Sequence, residues 1–131
     1  MGFSEMLRMN NLPNKRSLGS QGEAIAVKYL TEQGYQIIAT NFACIFGEID
    51  IIALHQECRC FIEVKMRKNL NFGYGYEAVT YKKQQHLIKT ALYYLTQQRL
   101  FDVAVRFDIL SIDYLNESQY KITLIQHAFR R

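Results

Sequence analysis

Proline occurs once in this chain, tryptophan not at all, and histidine and cysteine only three times each. So little proline, beside only seven glycines, excludes collagen-like and low-complexity architectures. No stretch approaches the ~20 consecutive apolar residues of a membrane-spanning helix, and no membrane partner is expected. The cysteines, Cys44, Cys58 and Cys60, are odd in number and lack the paired clusters of a zinc site, so they read as free thiols of a reducing cytoplasm. His55, His86 and His127 are scattered without metal-ligand spacing. Met1 to Ser17 lack the unbroken apolar run of a secretory signal, and export is not expected. An excess of acid is also missing. Sixteen Lys plus Arg against 12 Asp plus Glu give a net charge of +4, which permits a polyanionic partner without requiring one.

What is present is apolar. Of 131 residues, 49% are hydrophobic, too many for a disordered chain and enough for the core of one domain. Residues 1–18 are polar and unpatterned and read as a flexible arm, which leaves a single domain over 19–131. Within it, Ser20 to Gln33 reads as a helix stopped by Gly34. Tyr35 to Thr40, Ile49 to His55 and Arg59 to Met66 are β-favouring runs. A glycine-containing loop follows at Asn69 to Val79, and Thr80 then caps a helix running to about Gln98. Val103 to Ile112 and Tyr120 to Gln126 supply two last strands. Short links make the first three strands antiparallel, whereas the long helical crossover allows the strands on either side of it to run parallel. The expectation is an α/β fold with a mixed central sheet flanked by helices.

The chemistry is concentrated in Gly47-Glu48-Ile49-Asp50-Ile51-Ile52-Ala53 and Phe61-Ile62-Glu63-Val64-Lys65. Alternation assigns Ile49, Ile51, Ala53, Cys60, Ile62 and Val64 to one apolar face. The opposite face carries Ile52, Leu54 and Phe61, then Glu48, Asp50, Glu63 and Lys65. A two-residue turn at Gln56-Glu57, or a four-residue loop, pairs Asp50 with Glu63 and Glu48 with Lys65, whereas a three-residue loop sets Asp50 opposite Val64. Directly opposed side chains have Cβ atoms about 4.5–5.5 Å apart. Two carboxylates at that range repel by roughly 4 kcal/mol even at an effective dielectric of 20. A shared proton, the lysine or a bound cation must offset this. The plainer alternative is a solvated ion-pair patch.

Both helices add charge. Glu23 begins the stripe Glu23, Ala26, Val27, Leu30 that buries the first helix, so it points toward the sheet, or else simply favours the helix dipole. Lys82 and Lys83 follow the Thr80 cap, where the macrodipole is already positive, and each costs about 0.3–1 kcal/mol unless an anion answers it. A phosphate is the usual guest at such a terminus, and a solvent-facing basic turn is the alternative. Lys83 and Gln84 are within reach of the sheet, and Lys65, Arg67 and Lys68 extend the positive field.

Such a set permits metal-assisted hydrolysis of a phosphodiester. A hard divalent ion, Mg²⁺ or Mn²⁺, takes one or two carboxylates and completes its shell with water and phosphate. Asp50 and Glu63 meet that need, with the Val64 carbonyl as a further ligand, and Lys65 on the same side is placed to stabilise charge on the phosphate. Asp50 followed by Glu63-Val64-Lys65, with Glu23 on a preceding helix, resembles the PD-(D/E)xK nuclease superfamily, although Ile49 stands where the proline of that name would be. Gly22-Glu23, Gly47-Glu48-Ile49-Asp50, Phe61 to Lys65 with Arg67, Glu77-Ala78-Val79-Thr80, Lys83-Gln84 and Arg106-Phe107-Asp108 are similar to the YraN family of predicted endonucleases, related to archaeal Holliday junction resolvases. The resemblance implies a restriction-endonuclease-like αβββαβ core, Asp50 and Glu63 as metal ligands, Lys65 as the catalytic lysine and Glu23 as a supporting acid. It also implies DNA, structured or branched, as the partner. Arg67, Lys68, Lys82, Lys83 and Gln84 are the candidate nucleic-acid contacts, and a homodimer would suit a two-fold junction. The rival reading is a nucleic-acid-binding module that keeps the fold without turnover. A retaining glycosidase pair is disfavoured by the lysine and by the lack of tryptophan.

Overall fold

The computed structural model describes residues 7–8, 15–68, 79–116 and 118–131. In chain order these form β1 (Leu7–Arg8), α1 (Lys15–Glu32), β2 (Gln36–Cys44), β3 (Gly47–His55), β4 (Cys58–Arg67), α2 (Tyr81–Gln97), β5 (Ala104–Asn116) and β6 (Gln119–Phe129). One mixed sheet results, in the spatial order β1-β6-β5-β4-β3-β2. Five strands carry it, and β1 adds a two-residue edge by pairing Leu7 with Tyr120. As expected from the connections, β2, β3 and β4 are antiparallel neighbours, while α2 crosses over so that β5 runs parallel to β4. No helix among the described residues is long and apolar enough to cross a membrane.

Local chemistry places the ends. At Gly34, with φ +94°, the chain leaves α1 left-handed. The Tyr35 N–H then reaches back to Leu30 O at 2.9 Å and Gly34 N–H to Thr31 O at 3.1 Å, the paired bonds of a Schellman stop. Thr80 is extended, and its Oγ1 accepts from Lys83 N–H at 3.1 Å to open α2. Gln56 and Glu57 are both left-handed (φ 51° and 63°), the geometry of a two-residue hairpin turn whose twist matches the strands. That turn pairs His55 with Cys58, which is the register that favours the acidic pair.

Each face of the sheet holds its own core. On one, Ala26, Tyr29 and Leu30 of α1 pack on Ile51, Ala53, Ile62, Leu110 and Ile112. On the other, Leu87, Ile88, Ala91 and Leu95 of α2 pack on Ile49, Ile52, Phe61 and Ile109. At about 1.5–3 kcal/mol for each large aliphatic side chain removed from water, these two layers are what hold the strands in register.

Several expectations change. Helix α1 begins at Lys15 rather than Ser20, and Leu7–Arg8 joins the sheet, so part of the segment read as an arm is built into the fold. Strand β2 does not end at Thr40 but continues through Asn41 to Cys44. Ile49 does not share a face with Ile51 and Ala53. It packs under α2, because the alternation of β3 breaks at Asp50. The glycine loop falls at residues 69–78, outside the described residues.

Candidate metal and phosphodiester site

Strands β4 and β5 are parallel, and α2 begins beyond the C-terminal end of β4, where α/β sheets commonly bind ligands. The candidate residues lie around that end. The β3–β4 ladder runs from His55↔Cys58 to Ile51↔Ile62, one step short of Asp50 and Glu63. At that step the half-buried Asp50 turns its Oδ2 onto the Val64 N–H at 2.7 Å. Its carboxyl also lies within hydrogen-bonding reach of Glu63.

Glu63 is only 7% exposed. Burial first, and the Asp50 charge second, push its carboxyl up to about 7, against the pull of Lys83 and Lys65. Lys83 Nζ stands 3.6 Å from Glu63 Oε2. The basic first turn of α2 is therefore answered in part by an anion of the protein itself, which was not among the alternatives read from sequence. Lys65 is half-buried on β4, close enough for Glu63 to feel its charge. Glu48 is exposed and pairs across to Ala43 on β2 rather than to Lys65.

Glu23 is half-buried on α1, and its Oε2 accepts from Asn41 Nδ2 at 2.7 Å. Buried Gly22 lets α1 settle over β4, since a Cβ there would run into the Met66 sulfur. Among the described residues no three His, Cys, Asp or Glu side chains gather into a metal cluster, so Glu23 does not join the Asp50–Glu63 pair, and its partner Asn41 lies across from Asp50.

The remaining candidates separate. Lys68 and Lys82 are exposed. Gln84 uses its amide on the Val79 carbonyl at 3.2 Å, tightening the start of α2. Arg67 Nε lies 3.6 Å from Asp113 Oδ1, beside Ser111 Oγ at 3.3 Å from that same oxygen, so its guanidinium is partly engaged within the sheet. Ser111 and Asp113, both buried, were missed. They extend from β5 opposite Lys65 and Arg67, and only the parallel register brings them there. Asn41 was missed as well, because a strand-poor residue at the end of an apolar run looks like a stop.

A second polar cluster lies around the turn end of β3. Arg106 Nε donates to Asp108 Oδ1 at 2.9 Å and Arg106 Nη2 to Asp108 Oδ2 at 2.9 Å. The Tyr35 hydroxyl donates to Asp108 Oδ2 at 2.8 Å and accepts from Arg106 Nη2 at 2.9 Å and Gln126 Nε2 at 3.0 Å. His55, stacked on Tyr35 with ring centroids 4.1 Å apart, accepts from Arg106 through Nδ1 at 2.9 Å. Arginine has no acceptor, so this bond requires an unprotonated Nδ1. Burial, then the Arg106 charge, accordingly lower the His55 pKa.

The fold and site together define an α/β protein with a paired-carboxylate, lysine-flanked centre at the C-terminal edge of parallel strands. Residues 22–112, which include the site residues from Glu23 to Lys83, match the family described as "Uncharacterised protein family UPF0102". A UPF0102 protein of Caldicellulosiruptor saccharolyticus is 43% identical over 118 residues, 88% of this chain and 99% of that one. Another from Caldanaerobacter subterraneus subsp. tengcongensis is 42% identical over 114 residues (87% and 93%), and one from Acetivibrio thermocellus 41% over 128 residues (93% and 98%). The chain belongs to the UPF0102 family, also known as the YraN family, as its motifs suggested.

Proposed function

We propose that this chain is a metal-dependent endonuclease of the PD-(D/E)xK type, hydrolysing phosphodiester bonds of DNA, with structured or branched DNA among the substrates to be tested. The observation that carries the reading is the Asp50–Glu63 contact. Two carboxyls from neighbouring strands meet where one is nearly buried, with a lysine on either flank. The element order α, three antiparallel strands, α, parallel strand supports a restriction-endonuclease-like core.

The donor set fits a hard divalent cation. Two carboxylates supply oxygen ligands, and burial first and the Asp50 charge second keep the Glu63 carboxyl raised against the pull of Lys83 and Lys65. Asp50 and Glu63 would hold Mg²⁺ or Mn²⁺, with the Val64 carbonyl as a further donor. When bound, the ion supplies Lewis-acid polarisation of a phosphoryl oxygen and a more acidic water. The protein does the rest. The Val64 N–H fixes the Asp50 carboxylate against rotation. Lys65 is placed to stabilise charge developing on the scissile phosphate. Lys83, with exposed Lys82 and Lys68, presents positive charge to the backbone on either side. Glu23 supports from α1.

A module that binds without turnover would need the lysines but not the acids. The deciding experiment incubates the purified chain with labelled linear, branched and single-stranded DNA, with and without Mg²⁺ or Mn²⁺. Metal-dependent cleavage is expected, falling by about a thousandfold or more in Asp50→Ala and Glu63→Ala, with circular dichroism unchanged. Binding without cleavage supports the rival, and full activity in the double variant removes this site from the reaction.

A further inference from the structure

Asn41 lies inside strand β2, yet its φ is +54°. Left-handed backbone is foreign to a strand, and Asn tolerates it better than any residue but Gly. The ladder flanking it pairs Thr40 with Ile51 and Phe42 with Ile49, so Asn41 stands across from Asp50. On either side of that step the strands change faces. Ile51 packs beneath α1, whereas Ile49 and Phe42 pack beneath α2. One residue before Ile51 on β3, the ladder to β4 has stopped and Asp50 has turned onto the Val64 N–H. The Asn41 side chain meanwhile donates to Glu23 at 2.7 Å.

We infer that Asn41 is a positioning residue for the acidic site, acting twice. Its left-handed backbone makes the local irregularity that releases Asp50 from the β3–β4 ladder and aims it at Val64 and Glu63. Its amide holds the α1 acid, Glu23, at the rim of the same site. Asn41 is itself exposed, so neither action is required by burial. The inference deepens the metal-site reading and rests on it for its purpose, although its geometry can be tested without metal.

Three variants of the full chain separate the two actions. Asn41→Gly keeps the left-handed backbone and removes the amide. Asn41→Asp keeps shape and backbone tolerance but sets a carboxylate against Glu23. Asn41→Val opposes the left-handed conformation. The first readout is hydrogen exchange of the Val64 amide, followed by NMR without metal. Val64 exchange is expected to quicken at least tenfold in Asn41→Val while amides of the ladder from His55 to Ile51 keep their rates. Protection is retained in Asn41→Gly and Asn41→Asp. The second readout is Mn²⁺ affinity by titration calorimetry, expected to weaken about tenfold in Asn41→Val and less than threefold in Asn41→Gly. The third combines Asn41→Gly with Glu23→Ala, each expected to lower the maximal cleavage rate severalfold, with the pair no worse than Glu23→Ala alone.

Unchanged Val64 exchange in a folded Asn41→Val overturns the backbone role, and additive loss with Glu23→Ala overturns the amide role. Should Asn41→Val not fold, loss of Val64 protection in both Asn41→Gly and Asn41→Asp overturns the backbone role, and its retention in both supports that role. A wild-type chain that binds no Mn²⁺ defeats the metal reading, while the exchange data still decide the role of Asn41.

Discussion

Asp108 and Asp50 are built alike and surrounded differently. Each lies across from a left-handed residue, Asp108 at the register shift that contains His127 (φ 53°) and Asp50 opposite Asn41 (φ 54°), where the register to β2 is kept. Each accepts one main-chain N–H, from His127 at 3.0 Å and from Val64 at 2.7 Å. Beyond that the two diverge. Asp108 is 1% exposed and meets Arg106 and the Tyr35 hydroxyl, so its charge and its lone pairs are matched. Asp50 is half-buried and meets Glu63, a second acid. The same backbone device thus serves a saturated ion pair in one place and an unbalanced acidic pair in the other. What differs is how closely each carboxyl is answered, Asp108 by Arg106 at 2.9 Å and Glu63 by Lys83 at 3.6 Å with a second acid beside it.

The largest effect should come from breaking the saturated side. Arg106→Ala or Asp108→Ala leaves a buried, uncompensated charge, and each should cost about 3–5 kcal/mol of stability in urea denaturation. Asp50→Asn should change stability by less than about 1 kcal/mol, since it removes a repulsion while weakening one hydrogen bond. Comparable losses at the two positions would abolish the distinction between a structural and a functional acid.

Legibility in sequence follows the same divide. The Gln56-Glu57 turn, the antiparallel run of β2 to β4 and the α2 crossover were readable because turn length and connection length are local properties. From that register the meeting of Asp50 with Glu63 could be counted, although not the end of the ladder one step before it. The face of Ile49 was misassigned because strict alternation assumes a regular strand, and β3 departs from it at Asp50. Arg106 and Asp108 could be quoted as a motif, but their meaning depends on Tyr35 and His55, 71 and 51 residues from Arg106. Nothing in a window of sequence reveals that saturation. Lys83 illustrates the converse: its position at a helix start signals an anion, and the fold supplies Glu63.

On the unbalanced side, removing one charge should stabilise the protein. In chelator, Glu63→Gln should raise stability by about 1–3 kcal/mol at pH 8, the order expected for a carboxyl held well above its usual range. The sign follows from proton uptake. The Glu63 carboxyl titrates near 4.5 when unfolded and about 7 when folded, so the folded state holds the extra proton between those values. The penalty is therefore absent below pH 4.5, grows through that window and is complete above 7. The gap between variant and wild type should open over the same range. A variant less stable than wild type at pH 8 would mean that the Lys83 contact outweighs the cost of burying the Glu63 charge beside Asp50.

His55 gives the smallest effect and the opposite sign. Its surroundings are the Tyr35 ring, the Arg106 guanidinium that donates to it and the Asp108 carboxylate beyond, and together they lower its pKa. The unfolded chain then takes up a proton before the folded chain does, so stability from this group is present at neutral pH and is lost as pH falls below about 6.5. Glu63 works in the other direction over much of the same range, so the two regions partly cancel in the wild-type protein. Measuring in the Glu63→Gln background removes that cancellation. There, acidification from pH 7 to 5 should reduce stability by at most about 1.4 kcal/mol per pH unit, the ceiling for one proton. Adding His55→Phe, which keeps a ring against Tyr35 but cannot be protonated, should flatten that slope. An unchanged slope would show that the saturated cluster tolerates a charged imidazole, and would weaken the claim that every hydrogen bond in it is matched.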